Sequence, residues 1–307
     1  GGFAAQTSDT TLALHAIHAE TPSAVFAVGA NRCRDRFNGT TWTAVTSGLP
    51  NGNYNASWAT DDDSVWFVGA NGRAMRWNGT TFASGPATGT AAALNDVWGW
   101  DNNQVWAAGN NGTIIKWNGT AWSAQTSGTT QALNGLHGSG PSDVWAVGNA
   151  GTILRFNGTA WSVKTSPTTQ NLTAVWATSP TAAWAVGANG VIIRWNGSSW
   201  SVQASGTTQD LNDINGSGTT AIWAVGARGT ILKYSGSSWA AENSSINSTL
   251  TTVSVVNSTN VWACGTTVIL RRTGTTWGPD GQTGYPNNIL GSWATGVNTI
   301  FLAAQTG

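Results

Sequence analysis

The feature that most constrains this 307-residue chain is a recurrence of aromatic residues at a fixed interval. One aromatic, usually preceded by an Asn-Gly pair, falls at Phe3, Trp42, Phe82, Trp122, Trp161, Trp200, Trp239 and Trp277, at intervals of 38 to 40 residues. A second, in stretches like "VWAVG", falls at Phe26, Trp66, Trp106, Trp145, Trp184, Trp223, Trp262 and Phe301. A third precedes the Asn-Gly pair at Phe37, Trp77, Trp117, Phe156, Trp195 and Tyr234, with Arg272 in the seventh place. A fourth position is looser: His18, Trp58, Trp98, His137, Trp176, Asn215, Ser254 and Trp293. These four positions hold 19 of the 20 tryptophans, and only Trp100 lies outside them. Self-similarity at such a period marks repeated supersecondary units that bury their apolar faces against one another.

Each unit reads as four short strands, as in "LNDVWG", "DVWAVG", "TILRF" and "AWSAQTS". β-Branched and aromatic residues fill them, and Gly, Asn, Ser or Pro separates them. Asn-Gly at 38–39, 78–79, 118–119, 157–158 and 196–197, and Ser235-Gly236, joins the third strand to the fourth as a two-residue hairpin in which both residues tolerate positive φ. No stretch keeps a 3.6-residue apolar period, which predicts essentially no helix. In "VWAVG" both alternating sets are apolar, as in a strand covered on both faces. Four antiparallel strands per unit of about 40 residues make the blade of a β-propeller, an all-β fold.

Seven complete blades are expected, at about 12–45, 52–85, 92–125, 131–164, 170–203, 209–242 and 248–279 of a single domain, 1–307. Residues 287–307 match a first and a second strand, and residues 1–8 match a fourth. Together they would form a closing blade built from both termini, which removes sheet edges. Eight blades are therefore favoured, with seven as the alternative.

At these residues the chain resembles bacterial secreted or surface β-propeller repeat proteins of the "DVWAVG…G-x-I-x-[RK]-[WF]-N-G-x-x-W" type, which are distantly similar to sialidase, BNR and Kelch propellers. The resemblance spans nearly the whole chain and implies the fold. "NGTTW" (Asn38 to Trp42) stands where sialidase-like propellers carry an Asp-box, but Phe37, Trp77 or Trp117 occupies the aspartate position.

Charge excludes several functions. Only 8% of residues are charged and the net charge is zero. A nucleic-acid partner would demand a surplus of Lys and Arg, so none is expected. No apolar run is long enough to span a membrane as a helix. Low charge and loops rich in Ser, Thr and Asn suggest an extracellular or cell-surface location. With Gly1 in place of an initiator Met, the chain reads as a mature or excised segment. Cys33 and Cys264 stand alone, in no metal or redox spacing, and read as thiols rather than a disulfide.

No acid pair, nucleophile elbow or metal motif recurs, so the chain is expected not to be an enzyme, with no catalytic residue, metal or cofactor; a glycoside hydrolase is the third-ranked reading. Arg36, Arg76, Lys116, Arg155, Arg194, Lys233 and Arg271 precede the third-strand position. Repetition there favours cation–π packing over a ring of anion pockets. Asp61-Asp62-Asp63 with Asp101 reads as solvated loop rather than a Ca²⁺ site, and the Asn-Gly-Thr sequons read as turns. The first strand of a blade lines the central channel. Its variable aromatic position supplies the candidate ligand-binding residues: His18, Trp58, Trp98, His137, Trp176 and Trp293. The expected partner is a glycan, in a carbohydrate-recognition or adhesion module, or alternatively a surface protein, in an interaction scaffold.

Overall fold

A computed structural model describes residues 12–30, 34–44, 53–61, 63–84, 87–280, 288–296 and 298–304. Seven four-stranded antiparallel sheets follow one another, each with its strands paired in chain order. They span 14–44, 54–84, 94–125, 133–163, 172–203, 211–241 and 250–279, and are blades I to VII below. Ile289–Gly296 and Thr299–Ala304 form a further sheet of two strands only. The first strand of each blade lies innermost against that of the next. Ile289–Gly296 touches the inner strands of both blade VII and blade I, so the ring closes. The fold is an all-β propeller with seven four-stranded blades, not the favoured eight. The chain from 289 onward supplies only an inner and a second strand, and residues 1–8, expected to add a fourth, lie outside the described residues. No α-helix occurs among the described residues, only three-residue 3₁₀ turns such as Ala70–Gly72.

The blades interlock through the second strand. Val144 and Ala146 face blade III, in one cluster with Trp98 and Trp106, whereas Trp145 and Val147 face blade V, in a cluster with Trp195 and Trp200. Trp145 sits 5.2 Å from Trp195 and 5.0 Å from Trp200, ring centre to ring centre. Trp66 repeats the arrangement on Trp117 and Trp122, and Phe26 on Trp77 and Phe82. The second-strand rings of blades I, II and IV are thus wedged between the third- and fourth-strand rings of the next blade. Burying an indole removes about 150–250 Å² from water, worth about 4–6 kcal/mol before entropy.

The repeated basic residue lies over its own blade's second-strand ring, because the two are paired across strands, as Trp145 is with Arg155. The distances to the ring run from 4.9 Å for Lys116 and Arg155 to 5.9 Å for Arg36. These cations cover aromatic faces. Burial over Trp106 and Phe156 pushes the Lys116 ammonium below its ordinary pKa.

Blade VII breaks the pattern. Arg272, where other blades have an aromatic, puts its guanidinium 5.3 Å from the Trp223 ring. It forks onto Glu242, with Nε donating to Oε2 and Nη2 to Oε1, both at 2.9 Å. Glu242 also accepts the indole N–H of Trp223 at 3.0 Å and of Trp277 at 2.7 Å.

The hairpin chemistry differs in one respect from expectation. Gly119 takes φ +98°, but its partner Asn118 is not among the positive-φ residues. Asn118 instead accepts the N–H groups of Thr120 and Ala121 on Oδ1, at 3.0 and 2.9 Å. The turn is centred on Gly-Thr, one residue later than the Asn-Gly pair, because the Asn side chain caps the loop from its flank.

Cys264 is a buried free thiol whose pKa is raised by burial. Cys33 lies outside the described residues.

Candidate functional site: the cavity at the hub

The inner strands align residue for residue, from Leu14, Tyr54, Leu94, Leu133, Leu172, Leu211, Leu250 and Ile289 onward. Their second to sixth residues line a cavity of about 520 Å³ on the propeller axis.

The second residue of each strand stitches the rim. His15 Nδ1–H donates to the Tyr54 carbonyl at 3.0 Å, and Asn55 Nδ2 to that of Leu94 at 2.9 Å. Asn95 and Asn134 repeat the link to Leu133 and Leu172, and Thr173, Asn212 and Thr251 carry it to Leu211, Leu250 and Ile289. Seven bonds therefore run round the hub in one direction. The eighth position is Leu290, which has no side-chain donor, so the seam between the two-stranded sheet and blade I lacks its link. Asn55 is exposed and Leu290 is 37% exposed, so the cavity opens at this rim.

Below the rim, the third residues are Ala16, Ala56, Asp96, Gly135, Ala174, Asp213, Thr252 and Gly291. Both aspartates line the cavity. Asp96 Oδ1 accepts the N–H of Val97 at 2.8 Å, and Oδ2 that of Leu136, in the next blade, at 2.7 Å. Asp213 does the same with Ile214 and Val253, both at 2.8 Å. Burial pushes the Asp96 carboxyl up to about 7 against these amides, and the charge of Asp213 raises it further. Burial pushes Asp213 up to about 6, opposed by its two amides and the Thr252 hydroxyl. The two carboxylates thus sense one another across the hub while each pins a neighbouring blade. Sequence reasoning missed them because neither recurs in every blade. The available signal was their common register, three repeats apart.

The fifth residues form the floor. All six aromatics predicted as ligand-binding join one cluster: His18 lies 3.8 Å from Trp293 and 5.4 Å from Trp58, Trp58 lies 6.1 Å from Trp98, and His137 lies 4.2 Å from Trp176. Trp58, His137, Trp176 and Trp293 line the cavity, whereas His18 and Trp98 are buried behind them. His137 Nδ1 accepts the Ala177 N–H at 3.1 Å, and burial pushes its pKa down to about 3, so the ring is neutral. Trp58 Nε1 donates to the Gly99 carbonyl at 2.9 Å. Trp176 Nε1 and Ser57 Oγ are buried in the wall without a hydrogen-bond partner.

The aromatic layer follows a size trend between blades, to which Trp293, followed by Ala19, is the exception. Trp58, Trp98 and Trp176 are followed, at the sixth residue of the next blade, by Gly99, Gly138 and Gly216. A Cβ on Gly138 would meet Trp98 Cη2 at 2.5 Å. The smaller rings His18 and His137 are followed by Ala59 and Ala177 instead. Blades VI and VII carry Asn215 and Ser254 in place of a ring, and there the cavity reaches down to Gly216 and Val255.

Elsewhere, Asp61 Oδ1 accepts the Asp63 N–H at 3.0 Å, and Asp101 Oδ1 accepts that of Asn103 at 2.8 Å, so these acids cap turns; Asp62 lies outside the described residues. Among the described residues, no three His, Cys, Asp or Glu side chains gather as metal ligands. No helix among them is long and apolar enough to cross a membrane.

The closed ring of four-stranded sheets around an axial cavity defines a β-propeller. Solved propellers share the architecture. YCF48 bound to a D1 peptide superposes with a TM-score of 0.67 at 18% identity, covering 87% of this chain and 95% of that one. The C-terminal WD40 domain of Sif2 gives 0.73 at 12% identity, covering 97% and 96%. The computationally designed Ika8 protein gives 0.80 at 14% identity, also covering 97% and 96%. At these identities the likeness is one of fold. No protein-family model and no curated protein matches the sequence.

Proposed function

We propose that this chain is a non-catalytic propeller that binds a protein or peptide at its hub. The observation that carries this reading is the cavity itself. The positions that lock blade to blade repeat around the ring, whereas the third and fifth residues lining the cavity differ from blade to blade. A residue that only packs a repeat has no cause to vary in this way. A cavity of this size accepts a side chain or a short peptide segment, within the range of about 300–1,000 Å³ usual for ligand pockets. The similar fold of YCF48, solved bound to a D1 peptide, supports the reading. The two aspartates do not argue for hydrolysis, because both oxygens of each already hold a backbone amide.

Selection from a random peptide library, in parallel with a glycan array, tests the proposal. Peptides should be enriched, and their binding should fall at least tenfold in Ser254→Trp, which fills the deep side of the cavity. Saturable glycan binding that depends on Trp58, Trp176 and Trp293, without peptide enrichment, would replace this reading with carbohydrate recognition.

A further inference from the structure

The chemistry of the cavity points to the kind of group it takes. Its lining contains two carboxylates and no Lys or Arg. The rim amides of Asn95 and Asn134 have committed both Nδ2–H groups, to the Leu133 and Leu172 carbonyls and to the Asn110 and Asn149 side chains, so what they retain for a ligand is the Oδ1 acceptor. Asn55 and Asn212 have committed one Nδ2–H each and retain Oδ1 beside a second N–H. Ser57 Oγ, without a partner, is a further acceptor in the wall. The floor presents indole rings, whose faces attract cations. Oxygen acceptors, carboxylates and indole rings line one cavity.

We propose that the hub cavity is a receptor for a single cationic side chain, the ammonium of a lysine or the guanidinium of an arginine, held between Asp96 and Asp213 above the tryptophan floor. This rests on the protein-binding reading, for it names the part of the partner that enters. The two raised carboxyls support the assignment. Burial is the main cause of both, with the charge of Asp213 adding a smaller push on Asp96; a cation between them offsets both effects and favours their ionised state, so binding releases protons. The neutral His137 beside them adds no opposing charge. The remaining titratable lining group, His15, is tied through Nδ1–H to the Tyr54 carbonyl.

The probes are N-acetyl-lysine methylamide, N-acetyl-arginine methylamide and n-butylammonium, against N-acetyl-norleucine methylamide as the uncharged isostere. Titration calorimetry gives affinity, and the ¹⁵N-resolved indole signals, with that of Trp176 assigned through Trp176→Phe, locate the site. The cationic probes should bind at least ten times more tightly than norleucine, shift the Trp176 signal, and tighten as pH rises from 5.5 to 8. Asp96→Asn with Asp213→Asn should abolish the preference. Equal binding of norleucine, a flat pH profile, or shifts away from the hub would overturn the inference. These three readouts use the unaltered protein and decide the matter even if the double variant does not fold. Butylammonium separates the two levels of the argument. If it binds at the hub while no library peptide binds, the cation site stands and the protein-binding reading falls. If library peptides without a basic residue bind at the hub, the protein-binding reading stands and the cation site falls.

Discussion

The ion pair of blade VII allows a quantitative test of how the propeller tolerates a break in its own pattern. Arg272 has 3% of its side chain exposed, and Glu242 has 16%. Glu242→Gln leaves the guanidinium one neutral amide oxygen in place of a carboxylate, besides the carbonyls of Ser258 and Gly274, and sets an NH2 against the guanidinium or the two indole donors. Removing one member of a buried pair costs about 3–5 kcal/mol. Arg272→Phe alone is milder, about 1–2 kcal/mol, because the carboxylate keeps both indole donors and some water. The double variant restores the usual pairing of the ring, in which Gln203 of blade V precedes Tyr234 of blade VI at the corresponding positions. Exchanging a whole buried ion pair for apolar packing is close to neutral or stabilising. The double-mutant cycle should therefore show a coupling of about 4–7 kcal/mol, above the usual range of about 0.5–3 kcal/mol. Urea unfolding followed by tryptophan fluorescence measures it, provided the m-values agree. The pair also predicts a pH arm. Burial pushes Glu242 up, but the hydrogen bonds from Arg272, Trp223 and Trp277 outweigh it, and the carboxyl sits below its ordinary value of 4.5. Its contribution is complete above that value and lost as pH falls through the lower folded value. The penalty for Glu242→Gln should therefore shrink below about pH 4. A Glu242→Gln protein within about 1 kcal/mol of the parent, or a double variant as unstable as the two single changes added together, would refute the reasoning.

Three further outcomes are expected. Leu290→Asn should supply the missing eighth link of the rim, to the Leu14 carbonyl, and raise stability by about 0.5–1.5 kcal/mol in the same assay. Ala150 and Arg228 hold φ of +52° and +54°, where blades II, III and V use Asn71, Asn111 and Asn189. Ala150→Asn and Arg228→Asn should each gain about 0.5–1 kcal/mol in urea unfolding, since asparagine tolerates this region and can reach Gln131 or Gln209 as Asn189 reaches Gln170. Asp96 and Asp213 are raised to about 7 and about 6 from 3.8, so the folded chain holds their protons where the unfolded chain has lost them, and stability falls as pH rises from about 4 to 7. His137, lowered to about 3 from 6.5, works in the opposite sense between those values. The two carboxyls outweigh the one imidazole, for a net loss of about 1 kcal/mol per unit near pH 5. In Asp96→Asn with Asp213→Asn the slope should reverse, and an unchanged slope would contradict the placement of these groups.

The propeller was legible because its determinants are local and repeated. A second-strand Trp, the basic residue paired with it, and the two rings of the next blade recur at one interval, and each is explained by contacts within its own blade or with the next. The seven complete blades were legible; whether the two strands from 289 onward gain partners to make an eighth was not, because that depends on segments at opposite ends of the chain. The turn was misplaced by one residue because Asn-Gly suits both a two-residue turn and an Asn cap flanking Gly-Thr; only the amides on Asn118 Oδ1 separate them. The aromatic cluster was legible as a variable position, but its geometry was not. Whether six rings stand apart round a channel or stack into a floor depends on the ring radius and on the small residues across each interface. Asp96 and Asp213 escaped notice because a search for what recurs passes over what occurs twice.

The size trend at the fifth and sixth residues explains how a repeat built for packing acquires a pocket. A tryptophan at the fifth residue crowds its neighbour at Gly138 and Gly216, where an added Cβ would meet the indole at 2.5 and 3.1 Å, so these parts of the floor are coupled pairs rather than independent side chains. Such pairs are filled in blades III and V. At blade VI the trend is released: Asn215 has no ring, and Val255 occupies the space that an indole would need. Restoring a ring there would require a second change across the interface, so the opening resists closure by single substitutions. At blade VII, Ser254 faces Ala294, and the pair Trp293 with Ala19 shows that alanine can accommodate an indole. One substitution should therefore fill that side of the cavity. Ser254→Trp should fold with its blades intact and lose the pocket, whereas Asn215→Trp should destabilise by about 1–3 kcal/mol through overpacking against Val255 unless Val255→Gly accompanies it. Equal stability of the two single variants in urea would mean that the floor is not coupled pairwise and that the opening at blades VI and VII has another origin.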